Sequence, residues 1–147
     1  MGPPTAGKTT YVQHNAKPGD LIVDTDAIAL ALGAKPGHTT AGLHAGFARS
    51  CRSHVITTVL TKGAEVPTWI IDTAPTIAAI EHYTRASAHP HLIDPGKGTC
   101  LQRARTRGKG TTPAILDWYT HHHDRLTAWT HTTPTPPAPT TTATREW

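Results

Sequence analysis

The chain has 147 residues, 37% of them apolar and 16% charged, with a net charge of +4 when the histidines are neutral. That length suits one domain with its own core, and the charge is too small by itself to specify a nucleic-acid partner. No apolar run approaches the roughly 18 residues of a membrane helix, Cys51 and Cys100 cannot build a disulfide framework, and Met1-Gly2-Pro3-Pro4 lacks the basic and apolar regions of a secretion signal, which excludes membrane-spanning, secreted disulfide-rich, collagen-like and coiled-coil classes and leaves a soluble cytoplasmic protein as the expectation.

In chain order, residues 2–9 form a Gly/Pro-rich loop with a helix expected behind it. Lys17-Pro18-Gly19-Asp20 is a turn signal, and Leu21-Ile22-Val23-Asp24 reads as a short strand. A helix is predicted over residues 26–33, with Gly33 as its stop. A longer one is predicted over about 40–62, where Leu43, Phe47, Cys51, Val55 and Val59 recur every four residues as one apolar stripe, so that Cys51 reads as core. Residues 68–72 read as a second strand, and 76–87 as a helix with Ile77, Ile80 and Tyr83 on one face. His91-Leu92-Ile93-Asp94, between Pro90 and Pro95, reads as a third strand. A helix over about 112–129 carries Ile115, Tyr119, His122, Leu126 and Trp129, with Pro113 in its first turn. Residues 130–147 are nearly all Thr, Pro and Ala and are expected to be a disordered tail behind a domain of residues 1–129.

Apolar strands without alternation suit a sheet covered on both faces, and their alternation with helices predicts an α/β layered fold with a mainly parallel sheet. The three strands end in Asp24, Asp72 and Asp94, at the end of such a sheet where ligands bind.

Gly2-Pro3-Pro4-Thr5-Ala6-Gly7-Lys8-Thr9 has the spacing G-x-x-x-x-G-K-T, the P-loop pattern. Its glycines let backbone N–H groups curl around phosphate oxygens, and the helix start behind it adds a positive dipole end. Gly2 to Thr10 are therefore the candidate nucleotide-binding residues. Lys8 is expected to face solvent and to meet the β- and γ-phosphates, and the Thr9 hydroxyl to join a magnesium shell. A P-loop is launched by a strand, yet only Met1 precedes Gly2. That strand is expected either upstream of this sequence or to have been lost. Without it, the strands at 68–72 and 91–94 should flank a gap or meet irregularly, and the chain should be marginal in stability or weak for ATP.

From Gly2 to about Tyr119 the chain resembles the P-loop kinases related to phage polynucleotide kinase, including small phage-encoded ATP-binding proteins. The resemblance rests on the P-loop with Thr10-Tyr11 behind it, and on Asp24-Thr25-Asp26 and Asp72-Thr73 at strand ends. It also rests on the lid-like run from Cys100 to Gly108 and on Ile115-Leu116-Asp117-Trp118-Tyr119 after it. It implies a P-loop NTPase three-layer sandwich that binds ATP and Mg2+ and transfers the γ-phosphate to a hydroxyl acceptor. A nucleotide-binding module without transfer and a nucleic-acid binder using the basic lid are the alternatives. The resemblance implies an acid at the Asp24-Thr25-Asp26 strand end for the acceptor hydroxyl, and a metal-holding Asp72 beside Thr9. Asp26 is the candidate base, with Asp24 as the alternative and helix capping as the competing role of Asp26. The arginine that polynucleotide-specific relatives carry after this acid is replaced by Ile28-Ala29.

Arg103 and Arg107, four residues apart, share a helix face and are candidates to clamp the transferring phosphoryl group, while Arg105 points elsewhere. Asp94 reads as structural. His121-His122-His123 cannot chelate one ion from a helix, because successive side chains diverge.

Overall fold

The fold begins with a tight turn. Gly7, at φ 97°, precedes helix α1 (Lys8–Asn15) and supplies no side-chain cap. Residues 1–37, 42–106 and 110–132 are described by this computed structural model. Among them, strand β1 (Leu21–Val23) pairs in parallel with β2 (Thr68–Ile70), in the register Leu21 to Thr68, Ile22 to Trp69 and Val23 to Ile70. The crossover between them carries α2 (Thr25–Ala31) and α3 (Gly42–Lys62). Helix α4 (Ile77–Arg85) follows β2, capped by the Thr76 hydroxyl on Ala79 N at 3.2 Å. The chain then forms α5 (Lys97–Ala104), α6 (Thr111–His121) and α7 (His123–Thr132). The architecture is α/β, with a parallel two-stranded sheet among the described residues.

Three apolar clusters hold it together. Ala6, Cys100, Ala104 and Ile115 join the loop to α5 and α6, with Ile93, Leu101 and Tyr119 packed around them. Val23, Ile56 and Tyr83 seal the sheet to α3 and α4, with Trp129 of α7 against them. Ala29, Ala34 and Ala48 join α2 to α3. Full burial of a large apolar side chain contributes roughly 1.5–3 kcal/mol, so the first two clusters carry more of the stability than the alanine contact.

Four sequence expectations are corrected here. Residues 91–94 form no strand; they carry one rung with Met1, whose nitrogen donates to His91 O at 2.7 Å and whose carbonyl accepts from Ile93 N at 2.9 Å. One rung is too little for a strand. The first half of the α3 stripe is not core: Leu43 is 73% and Phe47 58% exposed, and Cys51 is also exposed, while Val55 packs against the cluster of Val23, Ile56 and Tyr83. The buried side is Ala45, Ala48 and Ile56, because α2 meets it with alanines and only small residues permit that approach. The helix expected over 112–129 is two helices, broken at His122 with φ −123°. Finally, α7 runs through Thr132, past the boundary expected at 129; residues 133–147 lie outside the described residues.

Candidate functional site

The loop is fixed at both ends. Gly2 sits at φ 146° with the Ile93 carbonyl so close that a Cβ would overlap its oxygen, so no other residue fits. Pro3 and Pro4 remove two N–H donors from the curl. Ala6 N turns back to Pro3 O at 3.3 Å, and Tyr11 N to Gly7 O at 2.9 Å makes the first helical bond of α1. The N–H groups of Lys8, Thr9 and Thr10 precede that bond and have no intrahelical acceptor. They are the donors of a helix N-terminus, where the dipole favours an anion.

Lys8 does not face solvent as expected. Its Nζ donates to Gly2 O and Pro3 O, each at 2.8 Å, folding the side chain back over its own loop. Burial pushes its pKa down to about 8, against the opposing pull of Asp72, Cys100, Asp24 and Asp26.

Thr9 and Asp72, expected to act as a pair, have different partners. Thr9 Oγ1 donates to Asp24 Oδ2 at 3.1 Å. Asp24 is buried at the end of β1, and its Oδ1 accepts Asp26 N at 3.0 Å. One carboxylate thus caps α2 and holds the Thr9 hydroxyl. Capping falls to Asp24, and the side chain of Asp26 is exposed on the first turn of α2. Asp72 instead forms an ion pair with Arg52 at 2.9 Å and lies 3.5 Å from the Tyr83 hydroxyl. Arg52 also holds Ile71 O at 3.1 Å. Burial, and then the negative Asp72, push the Tyr83 hydroxyl up.

Helix α5 reaches the loop. Arg103 donates from one nitrogen to Thr5 O and Ala6 O, each at 3.2 Å, and Thr5 Oγ1 donates to Cys100 O at 2.9 Å. Thr5 takes a left-handed φ of 64°. Thr10 and Arg105 are exposed, and Arg107 lies outside the described residues.

Asp94 serves structure. It accepts from the Tyr119 hydroxyl and from Gly96 N at 2.9 Å, and it faces His123 Nε2 at 3.6 Å. The three consecutive histidines diverge: His121 and His122 both lie 3.7 Å from Asp117, and His123 turns to Asp94 and Asp124. Among the described residues no three His, Cys, Asp or Glu side chains are grouped to hold a metal ion, and no helix is long and apolar enough to cross a membrane.

The chemistry on offer is anion binding with an oxygen pair beside it. Free N–H groups, one ammonium and one guanidinium converge on residues 2–9. A hydroxyl and a carboxylate stand together at Thr9 and Asp24, a donor set that suits a hard divalent cation. The cap expected at Asp26 falls to Asp24, because α2 begins at Thr25. Arg52 gave no local signal, because its partner lies 20 residues away. Searches of protein-family models, curated proteins and solved structures returned no match to this chain.

Proposed function

We propose that this chain is an ATP-binding P-loop protein of the polynucleotide-kinase-like type, with a P-loop NTPase sandwich, that transfers the γ-phosphate to a hydroxyl of a small molecule, a nucleoside or a nucleic-acid end. Cytoplasmic ATP is its nucleotide in this reading, and no membrane takes part. The observation that carries the reading is the convergence of the α1 N-terminus, Lys8 and Arg103 on one loop, with Thr9 against Asp24.

Phosphoryl transfer depends on positioning and charge neutralisation. Lys8 exchanges its two carbonyl partners for phosphate oxygens, and the N–H groups of Lys8 to Thr10 hold the chain of phosphates. Magnesium would be held by Thr9 and Asp24, where it would help to neutralise the phosphate charge. Arg103 leaves Thr5 and Ala6 to meet the charge on the transferring group. The bond from the γ-phosphorus to the bridging oxygen breaks as the acceptor oxygen bonds to phosphorus; ADP leaves, and Asp26 takes the hydroxyl proton.

The test measures ATP binding and acceptor-dependent ADP release. Lys8→Ala should abolish binding, and a circular dichroism spectrum like the parent's shows that the fold survives. Arg103→Ala should bind ATP but turn over about a hundredfold more slowly, by analogy with arginine fingers. Asp26→Asn should bind ATP without transfer. ATP binding with no release of ADP for any acceptor favours the non-catalytic nucleotide module. Salt-dependent DNA binding without ATP favours the nucleic-acid reading. Unchanged ATP affinity in a folded Lys8→Ala variant refutes the P-loop assignment.

A further inference from the structure

Helix α3 turns one side to its neighbours and the other to solvent. Ala45, Ala48 and Ile56 are buried, and Arg52 reaches inward to Ile71 O and Asp72. On the opposite side Leu43, Phe47, Ser50, His54, Thr57 and Thr61 are all exposed, Leu43 at 73% and Phe47 at 58%. They follow one another at alternating steps of 4 and 3 residues. That is the roughly 3.5-residue repeat of a helix-pairing seam, which stays aimed at one partner helix over several turns. The seam carries no Asp, Glu, Lys or Arg over its whole length. Ser50 Oγ already donates to Gly46 O at 3.3 Å, and Thr61 Oγ1 to Thr57 O at 2.7 Å. Covering those two hydroxyls therefore leaves neither donor unmet, which removes the main cost of burying them. Gly46 borders the seam beside Phe47, and a Cβ there would meet nothing within 4 Å. The packing of this chain does not call for a glycine at that point, although glycine inside a helix is unfavourable relative to alanine. The missing side chain gives room to a second helix.

We propose that this seam is a self-association surface, on which a second copy of the chain lays its own α3 in the antiparallel direction. Two features select that occupant. An acidic protein segment, a nucleic acid or an anionic membrane would each call for cations on the docking face, and the seam has no Lys or Arg. Its neutrality fits a neutral surface. The side-chain sizes then point to the seam itself, with the large Leu43 and Phe47 in its first half and the short Thr57 and Thr61 in its second. A two-fold axis beside Arg52 sets Leu43 opposite Thr61, Phe47 opposite Thr57 and Ser50 opposite His54 of the second copy. Each large knob then meets a short side chain, and the contact fills without voids. A parallel pair would oppose Phe47 to Phe47 and Thr57 to Thr57, with crowding at one end and gaps at the other. Ser50 Oγ keeps its lone pairs for a ring N–H of the second copy's His54. The interface is isologous and closed by the two-fold, so it stops at a dimer. The 21 residues of α3 span about 31 Å, and a strip about 10 Å wide over that length is smaller than the roughly 800 Å² per partner of a standard interface. The dimer is therefore a reversible one that forms as concentration rises. No part of it depends on nucleotide binding.

Analytical ultracentrifugation of the full chain over a concentration series is the test, with circular dichroism to show that each variant keeps the fold. The parent should pass from monomer to dimer along the series. Phe47→Glu and Thr57→Lys each place a charge in the seam, and each should weaken association by about tenfold or more. The double variant Phe47→Glu, Thr57→Lys should restore it, because the antiparallel register brings the opposite charges together. Cys51 is exposed and flanks the seam, and the two-fold puts both copies of it on the same side of the pair. A bismaleimide should therefore link Cys51 to Cys51 in the parent and fail to do so in Phe47→Glu, with the buried Cys100 unmodified. Three results overturn the proposal: a parent that stays monomeric throughout the series, a dimer untouched by both single variants, or a double variant that associates no better than either single one. Binding of the parent to phosphatidylserine vesicles without dimer formation, lost in Phe47→Glu, overturns it in favour of a membrane.

Discussion

The α5–α6 end and the α2–α3 arm use apolar residues in opposite ways. At the α5–α6 end, Cys100 and Ile115 are 0% exposed and Trp118 1%, and the Trp118 indole donates to Thr73 O at 2.8 Å. In the arm the buried contacts are alanines, while Leu30, Leu32, Leu43 and Phe47 face outward. The candidate loop belongs to the first region, through Ala6 in its cluster and through Arg103. The difference teaches where rigidity is placed. Ile115, Ile93, Leu101 and Tyr119 pack around Ala6, Cys100 and Ala104 to join the loop to α5 and α6, and the arm is held by close helix approach with little area behind it.

The sharpest way to break this contrast is by deletion. Trp118→Ala should lower stability by about 3–5 kcal/mol, a typical loss for a buried aromatic. Phe47→Ala should stay within about 0.5 kcal/mol, as for an exposed position. Urea denaturation of the two variants checks this, and similar costs would remove the distinction.

A smaller effect should appear with pH, and only on the loop side. The Met1 amine is held near 6 against 8.0 in the unfolded chain, and Lys8 near 8 against 10.5. As pH falls from 10.5 to 8, and again from 8 to 6, the unfolded chain takes up a proton that the folded chain refuses. Stability should therefore decline across both windows as pH is lowered. Burial, with the amine and His89 adding to it, also lowers His91, which extends the decline below 6.5. The urea midpoint should rise from pH 6 to pH 8, and acetylation of the Met1 amine should flatten that segment. A midpoint that falls over this range contradicts the buried amine.

The smallest effect sharpens the comparison without disturbing either region. A thiol reagent under native conditions should modify Cys51 of the arm quickly and Cys100 only after denaturant is added, since one is exposed and the other buried. Mass spectrometry of the labelled peptides reads the order.

Local signals were legible where the cause is local. The turn at Lys17 to Asp20, the strands at Leu21 and Thr68, the start of α1 behind Gly7 and the helix around Tyr83 follow from turn residues and short apolar runs. Parts set by distant partners were not. The Leu43–Phe47 stripe has core periodicity, but the choice of the Ala45–Ala48 side came from the alanines of α2. Residues 91–94 have strand composition and only one rung of partner. At the site, the loop was legible from its spacing, but the cap expected at Asp26 falls to Asp24, because α2 begins one residue earlier than the predicted helix. The inward turn of Lys8 came from two carbonyls of its own loop, and the engagement of Asp72 from an arginine on α3.

The two prolines in the loop have a consequence for how a ligand would be received. Pro3 and Pro4 hold φ near −65°, and Gly2 is wedged against Ile93, so this stretch has already lost most of its freedom when the chain folds. Under the proposed function a phosphate would meet a backbone mould set in advance, with the Lys8 and Arg103 side chains left to move. The entropic penalty of association should then fall on those two side chains and not on the loop backbone.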